Sequence, residues 1–247
     1  SKIIYIPSVN LFPIPSEIIL GTYCQNKEIG IIQASDFSGA LKFNNQSKFL
    51  QVPKNFIGVG LGNPNPTKIP KKINTIKNFL FSRSINENQK FSPLPAAVVE
   101  VKEISKNFKS SKLFLNDNAS ILNGLLEVES KYKNNNIKSA LVLATHGIKS
   151  DYARGNYSPG LLSVENKKQI LISPLDIEKN NLKGSIVVMS ACDTASGFTE
   201  EMDSNFTGFV EAFANSGSEL LMATLWPVIS VVSKETTKSF FKNWNDG

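Results

Sequence analysis

The sequence predicts an α/β domain: a mostly parallel sheet flanked by helices on both faces, with a small N-terminal mixed β-rich subdomain. Three observations lead there. Ala140-Leu141-Val142-Leu143-Ala144 and Ile186-Val187-Val188-Met189 are short continuous apolar runs, as expected of strands buried on both faces of a parallel sheet. Between such runs lie segments whose apolar residues recur at helical spacing. Strand, helix, strand at these separations implies right-handed crossovers that stack helices on both sides of the sheet. At 247 residues the chain is long enough to build this as one sizeable domain.

Taken in order, residues 1–51 carry short β-like runs, Lys2 to Ile6 and Glu28 to Ala34, broken by Pro, Asn and Gly, and form the N-terminal subdomain. Residues 52–247 form the core. Phe56 to Leu61 is a strand, Pro93-Leu94-Pro95 leads into a helix over Ala96 to Phe108, and Lys112 to Leu115 is a strand. A helix over Ala119 to Tyr132 places Ile121, Leu122, Leu125 and Val128 on one face. The buried run 140–144 follows, then a loop over Asp151 to Gly160 and two short strands, Leu161 to Val164 and Gln169 to Ile172. Ser173-Pro174 opens a helix, Ser as N-cap and Pro at the first helical position. The second buried run precedes a helix over Asn205 to Asn215, a strand over Leu220 to Leu225, and a last helix capped by Ser230 and running through Trp244.

Composition removes several function classes. The net charge of +6 comes almost wholly from Lys, the only arginines being Arg83 and Arg154. Nucleic-acid readers cluster Arg and aromatics on one face, whereas these lysines are spread out, so direct nucleic-acid binding is not expected. One His and two Cys are too few for a Zn site of the usual spacing, and no cofactor is implied. Gly58-Val59-Gly60-Leu61-Gly62 is glycine-rich, but Pro64 and Pro66 preclude the immediate helix that a phosphate cradle needs; it reads as a strand ending in a turn. No apolar run approaches the roughly 18 residues of a membrane span, and residues 1–7 lack the plan of a signal peptide. Two cysteines do not make a disulfide scaffold, which favours a thiol in a reducing, cytoplasmic setting.

Sites in such sheets collect beyond the carboxyl ends of the strands. One buried run leads into Thr145-His146-Gly147, the other into Ser190-Ala191-Cys192-Asp193-Thr194. If these strands are neighbours, the single His and one of the two Cys meet at one edge of the sheet. A cysteine after an apolar strand is commonly an inert buried thiol, and a lone histidine is commonly structural. It is their joint placement, with glycine after the His, that points to nucleophilic acyl transfer. There a thiolate attacks, and an imidazole takes the thiol proton and then protonates the leaving amine. Backbone N–H groups at Gly147 and Cys192 could hold the oxyanion. Cys24 has no comparable context and reads as structural. Asp176 and Asp193 read as surface or capping carboxylates, neither placed to orient His146.

His-Gly after one strand and Ser-Ala-Cys after another, 46 positions on, resembles the caspase-like cysteine peptidases. More specifically, the chain resembles the CHAT family, caspase-like domains often found with tetratricopeptide (TPR) repeats. The resemblance is carried by Leu94-Pro95-Ala96-Ala97 with Glu100, Leu143 to Gly147, Leu161 to Ser163, Val187 to Thr194 and Ala223 to Val228 in this order, and by the opening residues through Leu20. It implies a caspase-like sheet and an endopeptidase with a His146/Cys192 dyad. It also implies Ser190, Asn63, Thr224, Leu225 and Trp226 as substrate-binding residues, the last three on a strand that pairs the main chain of a protein or peptide substrate. Regulation by an activating TPR region or another partner is expected on the same ground, as is a piece of a longer protein, since CHAT domains continue into a further helix beyond Asp246-Gly247. The turn at Gly62-Asn63-Pro64, where relatives build the primary specificity pocket, offers no carboxylate, against strict cleavage after Arg or Lys. The alternative on the same fold is a silent pseudoprotease or interaction scaffold.

Overall fold

The computed structural model describes residues 2–5, 30–33, 53–64, 83–84, 91–148, 160–190, 207–223 and 230–246. The chain divides into two units, Ser1–Leu50 and Gln51–Gly247. In the first, strands β1 (Lys2–Tyr5) and β2 (Gly30–Gln33) pair in parallel, Lys2 opposite Gly30. Cys24 lies outside the described residues.

The second unit is built on a five-stranded, wholly parallel sheet of β3 (Asn55–Gly60), β5 (Ser110–Leu115), β6 (Ser139–Ala144), β10 (Ser185–Ser190) and β11 (Leu220–Ala223), in the order β11-β10-β6-β3-β5. Its three central strands are the near-continuous apolar runs, and every residue of β3 and β6 is buried. Alternation along each strand divides their side chains between two cores. On one face Phe56, Ala140, Val142, Ala144 and Val188 pack with helix α1 (Pro95–Ser105) and with Phe241 of the last helix, α5 (Ser230–Asp246). On the other, Ile57, Val59, Leu141, Leu143, Val187 and Met189 pack with α2 (Ile121–Asn135), α3 (Pro174–Glu178) and α4 (Thr207–Asn215). The expected helices on both faces are present.

The glycine-rich run is strand and turn, as its prolines require. Its glycines have a packing role: a Cβ on Gly60 would stand 2.8 Å from Val101 Cγ2 and 3.1 Å from the Ala97 carbonyl oxygen. Only glycine lets α1 sit this close to β3. A second, antiparallel sheet of β4 (Arg83–Ser84), β9 (Lys168–Ile172), β8 (Gly160–Glu165) and β7 (Gly147–Ile148) lies in the order β4-β9-β8-β7. The strands of two residues carry too few positions to show a period, and sequence reasoning missed both.

Some boundaries shift for local reasons. The helix expected from Ala119 begins instead at Ile121, after a short 3₁₀ turn at Asn116–Asn118. The Ser120 hydroxyl accepts from the Asn123 N–H at 3.0 Å and donates to Glu165, while Ser163 Oγ and Glu165 Oε1 accept from the N–H groups of Ile121 and Leu122. Strand β8 thus satisfies the donors that a helix start leaves open. α1 ends at Ser105, three residues short of Phe108. Asp176 is a capping carboxylate, buried rather than on the surface: it accepts from the Ser173 N–H at 3.1 Å and the Ser173 hydroxyl at 2.7 Å. Ser230, expected as a cap, is the first helical residue of α5, a one-residue shift usual at helix ends.

Candidate active site

From β3 the chain crosses to β5 on one side, then returns to β6 on the other. Connections that diverge from adjacent strands leave a crevice at their carboxyl ends, where ligands bind in open parallel sheets. The walls of this crevice are set by backbone hydrogen bonds. Leu61 N–H donates to the Ala144 carbonyl at 3.0 Å and Leu94 N–H to the Gly62 carbonyl at 2.7 Å. The N–H groups of Gly62 and Asn63 both reach Asn116 Oδ1 at 3.2 Å. Asn116 holds φ 50°, the left-handed conformation that asparagine tolerates better than most residues. The exposed Asn63 therefore stands on a turn fixed from the end of β5.

His146 lies two residues past the end of β6. Its backbone is tied to one residue of β8: the Leu162 N–H donates to the His146 carbonyl at 2.9 Å, and the preceding Thr145 hydroxyl donates to the Leu162 carbonyl at 2.6 Å. Its ring packs against Phe91, centroids 5.5 Å apart. Its Nε2 lies 2.8 Å from the Ser92 carbonyl oxygen, just upstream of α1. A carbonyl can only accept, so Nε2 carries the proton and Nδ1 keeps the lone pair. Burial lowers the imidazole pKa below its ordinary 6.5, and the Ser92 carbonyl opposes this as the smaller effect. At neutral pH the ring is neutral, one tautomer is selected, and Nδ1 is basic. Sequence reasoning sought an acidic side chain to orient His146; the orienting group is a main-chain carbonyl, which no residue type announces.

Gly147 is the first residue of β7, opposite Leu161 of β8, and is half-buried. Ser190, the last residue of β10, stands opposite Ala144 of β6. Its hydroxyl donates to Glu100 Oε2 at 2.8 Å and lies 2.7 Å from Ser233 Oγ of α5. Ser190 is thus tied to α1 and α5. Glu100, noted in the sequence only as part of a motif, is buried at 2% exposure. Burial pushes its carboxyl up to about 7, against the Ser190 and Thr237 hydroxyls and the Lys234 ammonium, which pull it down. Cys192, Asp193, Thr224, Leu225 and Trp226 lie outside the described residues. Among the described residues no three His, Cys, Asp or Glu side chains converge as a metal site requires, and no helix is long and apolar enough to cross a membrane.

A parallel sheet with helices on both faces and an oriented, neutral imidazole at its switch point defines an α/β domain with a candidate site beyond its strand ends. The family can be stated: the chain belongs to the CHAT family, whose model, described as the CHAT domain, matches residues 5–247. That family is related to the caspase-like peptidases. A comparison with curated protein sequences finds no match.

Proposed function

We propose that this CHAT domain is a cysteine endopeptidase that cleaves a protein substrate through His146 and Cys192. One observation carries the reading. β6 and β10 are adjacent and parallel, and their register pairs each residue of β6 with the residue 46 positions later, Ser139 with Ser185 and Ala144 with Ser190. His146 and Cys192 are separated in the sequence by the same 46 positions. A spacing that is arbitrary in the sequence thus equals the register of the two strands leading to the pair.

The chemistry follows from the state of His146. Nδ1, free to accept because Nε2 is held by the Ser92 carbonyl, takes the Cys192 thiol proton. The thiolate attacks the scissile carbonyl carbon, and the resulting oxyanion is held by the backbone N–H groups of Gly147 and Cys192. The imidazolium returns its proton to the leaving amine as the C–N bond breaks, leaving a thioester. Water, deprotonated by Nδ1, then releases the acid and regenerates the thiol. Throughout, the Ser92 carbonyl accepts from Nε2–H and favours the imidazolium. Ser190, Asn63 and the segment Thr224–Leu225–Trp226 beyond β11 are the proposed contacts to the substrate. The proposed setting is the cytoplasm, where the thiol stays reduced, with activity governed by a TPR region or another protein partner.

The test is trapping with an irreversible thiol-directed peptide probe followed by mapping of the labelled cysteine. Labelling at Cys192, slowed at least tenfold by His146→Ala, is expected, a tenfold change being about 1.4 kcal/mol of barrier. Labelling at Cys24 instead, or at an unchanged rate in His146→Ala, would refute the dyad and leave an interaction scaffold on the same fold.

A further inference from the structure

Glu100 is a buried ionisable group that the mechanism above does not use. It projects from α1 onto the sheet face that carries Ala144 and Val188, and the strands beneath it offer no countercharge: β3, β6 and β10 contain no ionisable side chain. Lys112 of β5 is paired with Glu127 of α2 at 2.6 Å. From α5, Lys234 acts on Glu100 through its charge and Thr237 lies beside it, while Lys238 is paired with Glu103 at 3.2 Å. Thr237 Oγ1 donates to the Ser233 carbonyl at 2.9 Å, and Glu100 Oε1 has no hydrogen-bond partner among the described residues. A carboxyl so placed carries a desolvation cost that an apolar residue would avoid. The hydrogen bond to Ser190, opposite the last residue of β6, is what it provides.

We propose that Glu100 is a positioning residue for the peptidase site: through the Ser190 hydroxyl it fixes the end of β10, the strand that runs on to Cys192. The proposal rests on the cysteine-peptidase reading. Ser190 is opposite Ala144, the last residue of β6, so it is the last position at which β6 holds β10. Glu100 from α1 and Ser233 from α5 hold it from two helices at once. The Cα atoms of Ser190 and Cys192 can stand no more than about 7 Å apart at about 3.8 Å per step, so a tilt at Ser190 is carried to the thiol. A carboxyl that titrates near neutrality at this point also makes the tie depend on pH: ionised, it accepts from Ser190, and protonated on Oε2, it donates to Ser190 and reverses the Ser190–Ser233 bond.

The experiment measures the rate of Cys192 labelling by the peptide probe from pH 5 to 9, with thermal melts alongside. Glu100→Ala and Ser190→Ala are each expected to slow labelling roughly tenfold, and the double variant to be no slower than either, because both cut one link. Glu100→Gln, which can still accept from Ser190, is expected to restore the rate to within about threefold while removing an inflection near pH 7. Labelling of Glu100→Ala at the parent rate, or effects that multiply in the double variant, overturns the proposal. If Glu100→Ala does not fold, Ser190→Ala and Glu100→Gln decide. A His146→Ala arm separates the two ideas: slow labelling there, with the Glu100 variants like the parent, sinks the positioning role alone. Parent-like labelling in His146→Ala removes the peptidase reading and this inference with it.

Discussion

Replacing Glu100 by Gln should make the protein more stable above neutrality and barely change it in mild acid. The carboxyl is 2% exposed and its pKa is raised from 4.5 to about 7, chiefly by burial. Because the folded state holds the proton more tightly than the unfolded chain, the associated stability is complete below pH 4.5. It is lost as pH rises through 7, beyond which the cost is constant. At about 1.36 kcal/mol per pKa unit, the full cost of the ionised carboxylate is about 3 kcal/mol. Glutamine keeps the volume and an acceptor for Ser190 but never ionises. Its unused amide N–H groups, buried against apolar side chains, return about 1 kcal/mol of that gain. Urea unfolding followed by circular dichroism at pH 5, 6, 7 and 8 gives the stability difference between variant and parent directly. His146, whose lowered pKa gives the opposite slope, cancels because it is common to both. A difference that climbs by about 2–3 kcal/mol between pH 5 and 8 is expected. A flat difference would refute the reasoning, since it would mean that Glu100 is solvated or already paired in the folded protein.

Three further outcomes follow from particular contacts. Gly60→Ala should destabilise the fold by about 1–3 kcal/mol, measured by thermal melting, because the new Cβ would press into Val101 and the backbone of α1. Ser120→Ala should cost about 1–2 kcal/mol, losing both the cap on α2 and the bond to Glu165, with the loss read as a lower urea midpoint. Because the chain has a single histidine, the pH dependence of its ring proton resonance reports His146 without ambiguity. It should give a midpoint below 6.5, and Phe91→Ala, by admitting water to the ring, should raise it.

The sheet was legible because its central strands are buried on both faces and so read as unbroken apolar runs at 140–144 and 186–189. The positions of His146, Ser190 and the cap at Ser173-Pro174 were legible for the same reason: each is fixed by counting from such a run or from proline. What was not legible depends on atoms that all residues share or on contacts distant in sequence. The Ser92 carbonyl that selects the His146 tautomer is main chain. The Glu100–Ser190 bond joins residues 90 positions apart and becomes visible only when α1 is laid across the sheet. Strand pairing by β4 and β7 involves two residues each, too few for a pattern. Ser120 was placed inside the helix expected from Ala119 and Asn116 drew no reading, because their bonds, to Glu165 and to the turn after β3, cannot be read from propensity.

The two faces of the sheet contribute differently to the site. On the α2 face the carboxyl end of β6 is pinned by backbone and hydroxyl bonds to Leu162, which immobilise Thr145 and His146 without touching the imidazole. On the α1 face the character changes along the strands: Val142 and Ala144, then His146; Val188, then Ser190. That face is packed by apolar side chains along the strands and turns polar at their carboxyl ends. α1 serves both halves of the proposed pair there, since the Ser92 carbonyl immediately before it directs His146 and Glu100 within it holds the end of β10. The glycines of β3 explain why it can, because any side chain at Gly58 or Gly60 would lift the helix from the sheet and move both contacts together. Histidine tautomer, strand-end position and helix packing are therefore a single geometric condition, set at the α1–β3 contact rather than at the reacting residues themselves.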